Sequence, residues 1–200
     1  MSIASIHRYS ARRGFSLKEL AIVLAVMGTL TAGILKLIAD MRQGAHADLV
    51  QQQVLLTVKN VRDYFLGRAL PSTATHVSTT YAHAAMQAAG VFPSDTCPAN
   101  CVGDAALNVY HAYGGTITFS LPDASGTPIG NQMQLALTRI KKYGCVKLAM
   151  QLSANAVGYG FVSFATSGAA ITAFPINLET ATDECAAADN DVTLVFRINK

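Results

Sequence analysis

The stretch Arg12-Arg13-Gly14-Phe15-Ser16-Leu17-Lys18-Glu19-Leu20 leads directly into an apolar run from Leu20 to Leu35 that contains no charged residue. Glu19 stands at the edge of this run, at the fifth position after Gly14. A carboxylate at the edge of a bilayer needs a partner. The simplest partner is the amine that appears when the chain is cut between Gly14 and Phe15. The stretch therefore predicts that the chain is first cut between Gly14 and Phe15 and then assembles with other copies.

The segment from Gly14 to Leu20 resembles the processing motif of the type IV pilins and the related pseudopilins. The resemblance implies that a membrane peptidase cuts after Gly14 and that the new amine of Phe15 is methylated. It also implies that Glu19 is needed for polymerisation, through a contact with the Phe15 amine of a neighbouring copy. Lys18 departs from the family pattern, in which this position is more often apolar.

The charge balance indicates membrane orientation. The chain has 15 Lys and Arg residues against 12 Asp and Glu residues, a formal charge of +3. Arg8, Arg12 and Arg13 precede the expected cut, so the mature chain has 15 − 3 = 12 basic residues against 12 acidic ones. This near-neutral balance argues against nucleic acid as a specific ligand. Positive charges before an apolar segment stay on the cytoplasmic side. Everything after Lys36 is then expected in the periplasm or outside the cell.

Two other interpretations of the N-terminus explain less. In a secretory signal peptide the apolar run precedes the cut, whereas here it follows the cut, and no convincing small-x-small cleavage site lies near Asp40. A simple membrane anchor has no reason to carry Glu19. The pilin-like interpretation accounts for both features.

The four cysteines all lie in the part of the chain that is expected to leave the cytoplasm: Cys97, Cys101, Cys145 and Cys185. An even number in an oxidising compartment favours disulfides. Three pairings are possible. We expect Cys145 with Cys185 and Cys97 with Cys101, because the latter two are too close in sequence to serve two separate distant partners without strain.

The sequence does not indicate a metal or catalytic site. The alternative to the disulfides is a zinc site from Cys97 and Cys101 with His111 or His83, but this spacing is not specific. His76, His83 and His111 lie in predicted connecting loops, where histidines are mostly solvated polar residues. The sequence has no Gly-x-Ser-x-Gly elbow, P-loop or His-Glu-x-x-His motif. We therefore expect no enzyme activity, no cofactor and no metal.

Helical periodicity continues beyond the apolar run. Apolar residues recur every three or four positions, and after a small drift the period resumes: Ile34, Ile38, Met41, Ala45 and Leu49, then Val54, Val58, Val61 and Phe65. The opposite face carries polar residues, among them Gln51, Gln53 and Arg62. No proline occurs between these positions and Pro71. The sequence therefore predicts one helix from Phe15 to about Gly67, roughly 80 Å long at the standard rise.

Shorter elements are predicted after Gly67. A helix is expected at residues 81–89 and another at 142–152, with Cys145 facing inward. Strands are expected at residues 115–121, 132–138, 160–165, 171–174 and 192–198, with a turn at 122–126 and an acidic loop at 180–191. The predicted class is α+β: a long N-terminal α-helix packed on an antiparallel β-sheet, with a disulfide-tied C-terminal region.

Several C-terminal motifs add a narrower resemblance. They are Met86 to Gly90 with Phe92-Pro93, Asn108 with Tyr113 to Ile117, Cys145-x-x-Leu148-Ala149, and a last cysteine before a terminal strand. Together they resemble the type IVb pilins, the group that includes the toxin-coregulated pilus subunit and the thin-pilus subunits of conjugative plasmids. The resemblance implies the type IV pilin fold.

The two resemblances imply a domain organisation and a function. Residues 1–14 are a leader removed by prepilin peptidase, 15–67 the long helix (15–38 in the membrane or filament core, 39–67 amphipathic), and 68–200 a periplasmic or extracellular domain. The implied function is the major subunit of a type IV pilus that moves from the inner membrane to the cell surface. The implied partners are other copies of the chain, the peptidase, the inner-membrane assembly machinery and, before assembly, membrane lipid.

Other functions remain open from the sequence. A minor pilin or a type II secretion pseudopilin carries the same motif, and a membrane-anchored periplasmic enzyme or binding protein is a third class. Adhesion, conjugation, DNA uptake and motility all use similar subunits.

Overall fold

The long helix predicted from the sequence is present as α1 (Leu17–Phe65). The structure, a computed structural model, describes residues 16–68, 79–96, 108–121 and 132–199. Some predicted features lie outside the described residues: Gly14, Phe15, His76, Cys97, Cys101 and the turn at residues 122–126. The chain divides into two units, Met1–Met41 and Arg42–Lys200.

In the first unit the described residues are helical from Leu17 onward, and all of them are exposed. The helix starts where a short polar residue precedes a run of good helix formers, and no proline interrupts it. Because the described side chains in this part of α1 are exposed, they are available to lipid or to another protein surface.

The second unit combines the rest of α1 with short helices and a sheet. The further helices are α2 (Thr79–Ala88), α3 (Lys142–Ala154), α4 (Ala156–Tyr159) and α5 (Leu178–Glu184). The strands are β1 (Val109–Tyr110), β2 (Thr116–Ser120), β3 (Gln132–Lys141), β4 (Phe161–Ala165) and β5 (Asp189–Arg197). These elements confirm the predicted α+β class.

The described strands form one antiparallel sheet in the order β1-β2-β3-β5-β4. The predicted pairing of residues 115–121 with 132–138 is confirmed, since Phe119 lies opposite Leu135. Leu135 in turn lies opposite Leu194 of β5. Alternate residues of these strands are buried, as the two-residue repeat of a strand requires. One face of the sheet therefore forms the core.

The second half of α1 packs on this core. Its buried apolar residues recur every three or four positions: Ala47, Val50, Val54, Val58, Val61 and Phe65. The predicted apolar face is wrong at Leu49, which is 44% exposed, whereas the next residue, Val50, is buried. Gln53, assigned to the polar face, is also buried.

The disulfide between Cys145 and Cys185 is confirmed. It joins α3 to the residue that ends α5, and both cysteines are fully buried. The helix predicted at residues 142–152 is present, and Cys145 faces inward as expected. The disulfide therefore closes a loop that contains β4 and α5.

The acidic loop predicted at residues 180–191 was wrong. Its first part belongs to α5, where the side chain of Asn177 accepts a hydrogen bond of 2.8 Å from the N–H of Thr180. This is an N-cap, and Glu179 in the first turn adds a favourable charge. Ala181 is buried, so the helix has a core-facing side despite its acidic composition.

The strand predicted at residues 171–174 is not formed either. Ile171 makes only an isolated bridge to Phe164. Phe174 instead packs its ring against that of Phe161, with centroids 5.0 Å apart, and Pro175 after it has no N–H to continue a ladder. β1, by contrast, was not predicted, because two residues are too few to show an alternation.

Candidate functional site

The start of α1 is held by a reciprocal pair of contacts between Ser16 and Glu19. The backbone N–H of Ser16 donates to Oε2 of Glu19 at 2.9 Å, and the N–H of Glu19 donates to Oγ of Ser16 at 3.3 Å. This is a capping box, which satisfies two N–H groups that a helix start leaves without partners. The carboxylate also stands at the positive end of the helix dipole. The sequence alone suggested that Glu19 lacks a partner in its own chain. The structure instead pairs it with Ser16.

The capping box was detectable in the sequence but was not used in the prediction. Ser16 and Glu19 have the Ser-x-x-Glu spacing just before an apolar run, which is the known signature of a helix start. Lys18 lies between them, and it makes no ion pair with Glu19 within 4.0 Å in the described part of the chain. The carboxylate thus faces the helix end and not the neighbouring ammonium group.

The helix that follows the capping box is apolar on all sides. Its large exposed residues include Leu20, Ile22, Val23, Leu24, Val26, Met27, Leu30, Ile34 and Leu35. By length and composition, α1 is the kind of helix that can cross a membrane. A helix that is hydrophobic all round requires an apolar environment, either lipid or other helices.

His83 and His111 are not the solvated loop residues that the sequence predicted. His111 is 3% exposed, and its Nε2 lies 2.7 Å from the carbonyl oxygen of Thr138. His83 is half-buried on α2, and its Nδ1 accepts a hydrogen bond of 3.1 Å from the N–H of Phe119. The loop prediction failed because both histidines form hydrogen bonds with backbone groups of other segments, which the sequence does not show.

These contacts do not assemble a metal site from the residues that are described. No group of three or more His, Cys, Asp or Glu side chains there could hold a metal ion. His111 has both ring nitrogens engaged in backbone contacts. The zinc alternative would need Cys97 and Cys101, which lie outside the described residues.

Gln53 is a second polar residue whose role the sequence did not reveal. Its Nε2 donates to Asp95 at 2.8 Å, and its Oε1 accepts a hydrogen bond of 3.2 Å from the N–H of Ala112. It therefore joins α1 to the segment after α2 and to the turn after β1. A glutamine on a helix face otherwise rich in polar residues gives no signal of this burial.

A groove beside α4 has little capacity for chemistry. Its described lining is mainly apolar, with Val157, Phe161 and Phe174, and Arg197 is its one ionisable side chain. A general acid or base needs a group whose pKa lies near the working pH, and an arginine does not supply one.

The fold matches that of solved type IVb pilins. A crystal structure of type IVb pilin from Salmonella typhi aligns with a TM-score of 0.56 and 19% identity, covering 76% of this chain and 98% of that one. An NMR structure of type IVb pilin (PilS) from the same organism aligns with a TM-score of 0.47 and 18% identity, covering 73% and 95%. No curated protein matches the chain.

The family model described as PilS N terminal matches residues 68–199, which are 132 of the 200 residues. The chain belongs to the PilS family of type IVb pilins. As a pilin it is a structural subunit, of a family that is not typically enzymatic and that assembles into pilus filaments. Its exposed apolar helix fits membrane anchoring and then a place in the pilus. The family match begins after residues 14–19 and therefore does not cover Gly14, Phe15 and Glu19.

Proposed function

We propose that this pilin is the major subunit of a type IV pilus. It is made as an inner-membrane precursor with residues 1–14 as a leader, and prepilin peptidase cuts between Gly14 and Phe15. The Phe15 amine is methylated, and the assembly machinery adds the subunit to a helical filament that reaches the cell surface. Residues 15–67 form the anchoring and packing helix, and 68–200 the exposed domain with its Cys145–Cys185 and Cys97–Cys101 disulfides.

The observation that carries this proposal is the position of the helix start. Ser16 is the N-cap and α1 begins at Leu17, so the bond after Gly14 precedes the helix. The capping box marks the start of α1 on the side of the proposed cut. The apolar and uncharged surface that follows needs lipid before assembly and neighbouring helices afterwards.

Glu19 is the proposed register contact between subunits. In the single chain its Oε2 accepts the Ser16 N–H. A carboxylate has two oxygens and about four acceptor positions, so it can also accept the Phe15 amine of an incoming copy. A hydrogen bond with a charged donor or acceptor is roughly twice as strong as one between neutral groups. Only the alignment that brings amine and carboxylate together satisfies both charges.

Two substitutions of Glu19 separate its charge from its role at the helix start. Glu19→Gln keeps a side chain that suits a capping box but removes the negative charge, whereas Glu19→Ala removes both. We expect both variants to be inserted and cut normally and to give no sheared surface fibres. Glu179→Gln, on the exposed start of α5, is the matched control and should assemble normally.

Processing is tested separately with Gly14→Asp, which should leave the uncut precursor in the membrane. Mass spectrometry of the wild-type subunit should find a chain that begins at a methylated Phe15. Normal fibres from Glu19→Gln would refute the charge pairing while leaving the cleavage intact. A mature chain that still begins at Met1 would refute the proposed processing itself.

A further inference from the structure

His111 is a buried residue that connects the turn after β1 to β3. Its Nε2 lies 2.7 Å from the carbonyl oxygen of Thr138, and its Nδ1 accepts a hydrogen bond of 3.2 Å from the N–H of Tyr113. A carbonyl oxygen can only accept and a backbone N–H can only donate, so Nε2 carries the ring proton and Nδ1 carries none. The two contacts therefore select one neutral tautomer.

His83 shows the same arrangement on the neighbouring segment. Its Nδ1 accepts the N–H of Phe119 on β2 at 3.1 Å, and its ring lies 5.0 Å from that of Phe92. Because a backbone N–H can only donate, this Nδ1 must also be unprotonated. A second proton on His83 would set a donor against a donor and break the bond that joins α2 to β2. A second proton on His111 would break its bond to Tyr113 within the turn, while Nε2 would still donate to the carbonyl oxygen of Thr138.

The turn that contains His111 also holds α1. The N–H of Ala112 donates to Gln53 at 3.2 Å, and the hydroxyl of Tyr113 donates to the carbonyl oxygen of Gln43 at 2.9 Å. Both donors follow directly after His111 in the chain. Loss of the bond between His111 and Tyr113 would therefore loosen the turn at the point where it contacts α1.

The charged and titratable groups on the elements around His111 are Tyr113, His46, Asp48, Tyr143, Lys147, Arg139 and Lys141. The Asp48 carboxylate is paired with Lys147 at 2.7 Å. Around His83, α2 and β2 add no Asp, Glu, Lys or Arg, and Asp95 after α2 is bonded to Gln53. No described carboxylate lies within 4.0 Å of either imidazole. A proton on the buried His111 ring or the half-buried His83 ring would therefore be a charge with no counter-ion among the described residues.

We propose that His83 and His111 form an acid-sensitive latch, which holds residues 79–96 and 108–121 against α1 and the sheet at neutral pH and releases them in acid. The latch acts within the globular unit and does not depend on processing or filament formation. Its consequence is that the surface of the pilin changes locally with pH while the disulfide-tied half of the sheet stays folded.

The direction follows from the pKa of each group. Burial lowers the pKa of His83 below its ordinary value of 6.5. Burial also lowers the pKa of His111, although its hydrogen bond to Thr138 acts in the opposite direction. An opened segment takes up protons near pH 6.5, while the closed latch takes them up only at lower pH. The stabilisation is therefore complete above about pH 6.5 and is lost as the pH falls below it.

Hydrogen–deuterium exchange of the full mature chain in detergent micelles tests the latch. Each histidine can change the opening equilibrium by about tenfold per pH unit below pH 6.5. After correction for intrinsic exchange, peptides from residues 79–96 and 108–121 should lose about 10- to 100-fold of their protection between pH 7.0 and pH 5.5. Peptides from β5 should lose much less. Equal losses in all segments would overturn the proposal.

The double variant His83→Asn/His111→Asn supplies an acceptor oxygen near each Nδ1 position but cannot be protonated. It should show protection that no longer depends on pH in this range. His46→Asn is the matched control, since His46 contacts Tyr113 by its ring only, and it should keep the wild-type dependence. If the double variant does not fold, the NMR chemical shifts of the histidine ring nitrogens in the wild-type chain show which nitrogen carries the proton and at what pH the ring titrates. A proton on Nδ1 of neutral His111, or titration near 6.5 in the folded chain, would also overturn the proposal.

Discussion

Gly115→Ala is the substitution for which the structure predicts the clearest steric effect. A Cβ at Gly115 would stand 1.8 Å from the carbonyl oxygen of Thr138 and 2.5 Å from Nε2 of His111. Real Cβ atoms essentially never come closer than 3.0 Å to such atoms. The carbonyl would have to move by about 3.0 − 1.8 = 1.2 Å, and it belongs to the backbone of β3. The hydrogen bond between His111 and Thr138 would break as the carbonyl moves.

The expected cost follows from these two effects. Forcing an extra carbon into a packed site costs about 1–3 kcal/mol, and the lost hydrogen bond adds about 0.5–1.5 kcal/mol. The free energy of unfolding should therefore fall by roughly 2–4 kcal/mol, which for a domain of this size lowers the Tm by roughly 5–15 °C.

Thermal unfolding of the mature chain in micelles measures this change. Of the 7 tyrosines, Tyr9 precedes the proposed cut and the others follow residue 63, and the sequence has no tryptophan. Tyrosine fluorescence or near-UV circular dichroism therefore follows the globular unit without the signal of the micelle-bound helix. Gly44→Ala is the matched control, because a Cβ there meets nothing within 4 Å. In a helix that change should be neutral or stabilise by up to about 1 kcal/mol. A Gly115→Ala protein as stable as Gly44→Ala would refute the steric reasoning.

Two further predictions concern the links within the globular unit. Replacing Cys145 and Cys185 together by alanine reopens a loop of sequence separation 40 and should cost about 4 kcal/mol in the chain-entropy model; a loss below 1 kcal/mol in thermal unfolding would contradict it. Gln53→Leu leaves the partly buried N–H of Ala112 without its acceptor and should cost about 1–3 kcal/mol, whereas exposed Gln52→Leu should change little. Equal stability of the two glutamine variants would argue against the buried link.

Much of the fold could be predicted because its strongest signals are periodic. α1 and the strands that form the sheet centre each repeat their apolar residues over enough positions to identify the element. The pairing of Cys145 with Cys185 was predicted from the redox compartment and the spacing of the four cysteines. β1 and the bridge at Ile171 involve one or two residue pairs, which is too few for any period to show.

The missed features depend on single side chains and on contacts distant in sequence. Helix α5 is decided by the cap at Asn177 and the burial of Ala181, against an acidic composition that suggested a loop. Gln53 and His111 are polar residues that look solvated in sequence, and only the fold brings Ala112 and Thr138 to them. Local patterns carry no information on such partners, which lie 27 or more residues away.

The Ser16 contact changes the energetic role expected of Glu19. If the carboxylate had no partner in the single chain, pairing with a neighbour's amine would remove a large penalty and drive assembly by itself. Because Oε2 already accepts the Ser16 N–H, that penalty is partly removed before assembly. Pairing with the amine would then add a hydrogen bond to a carboxylate that already has a partner. In the proposed assembly, apolar packing of α1 would therefore supply most of the free energy, and Glu19 would discriminate the correct alignment from its shifted competitors.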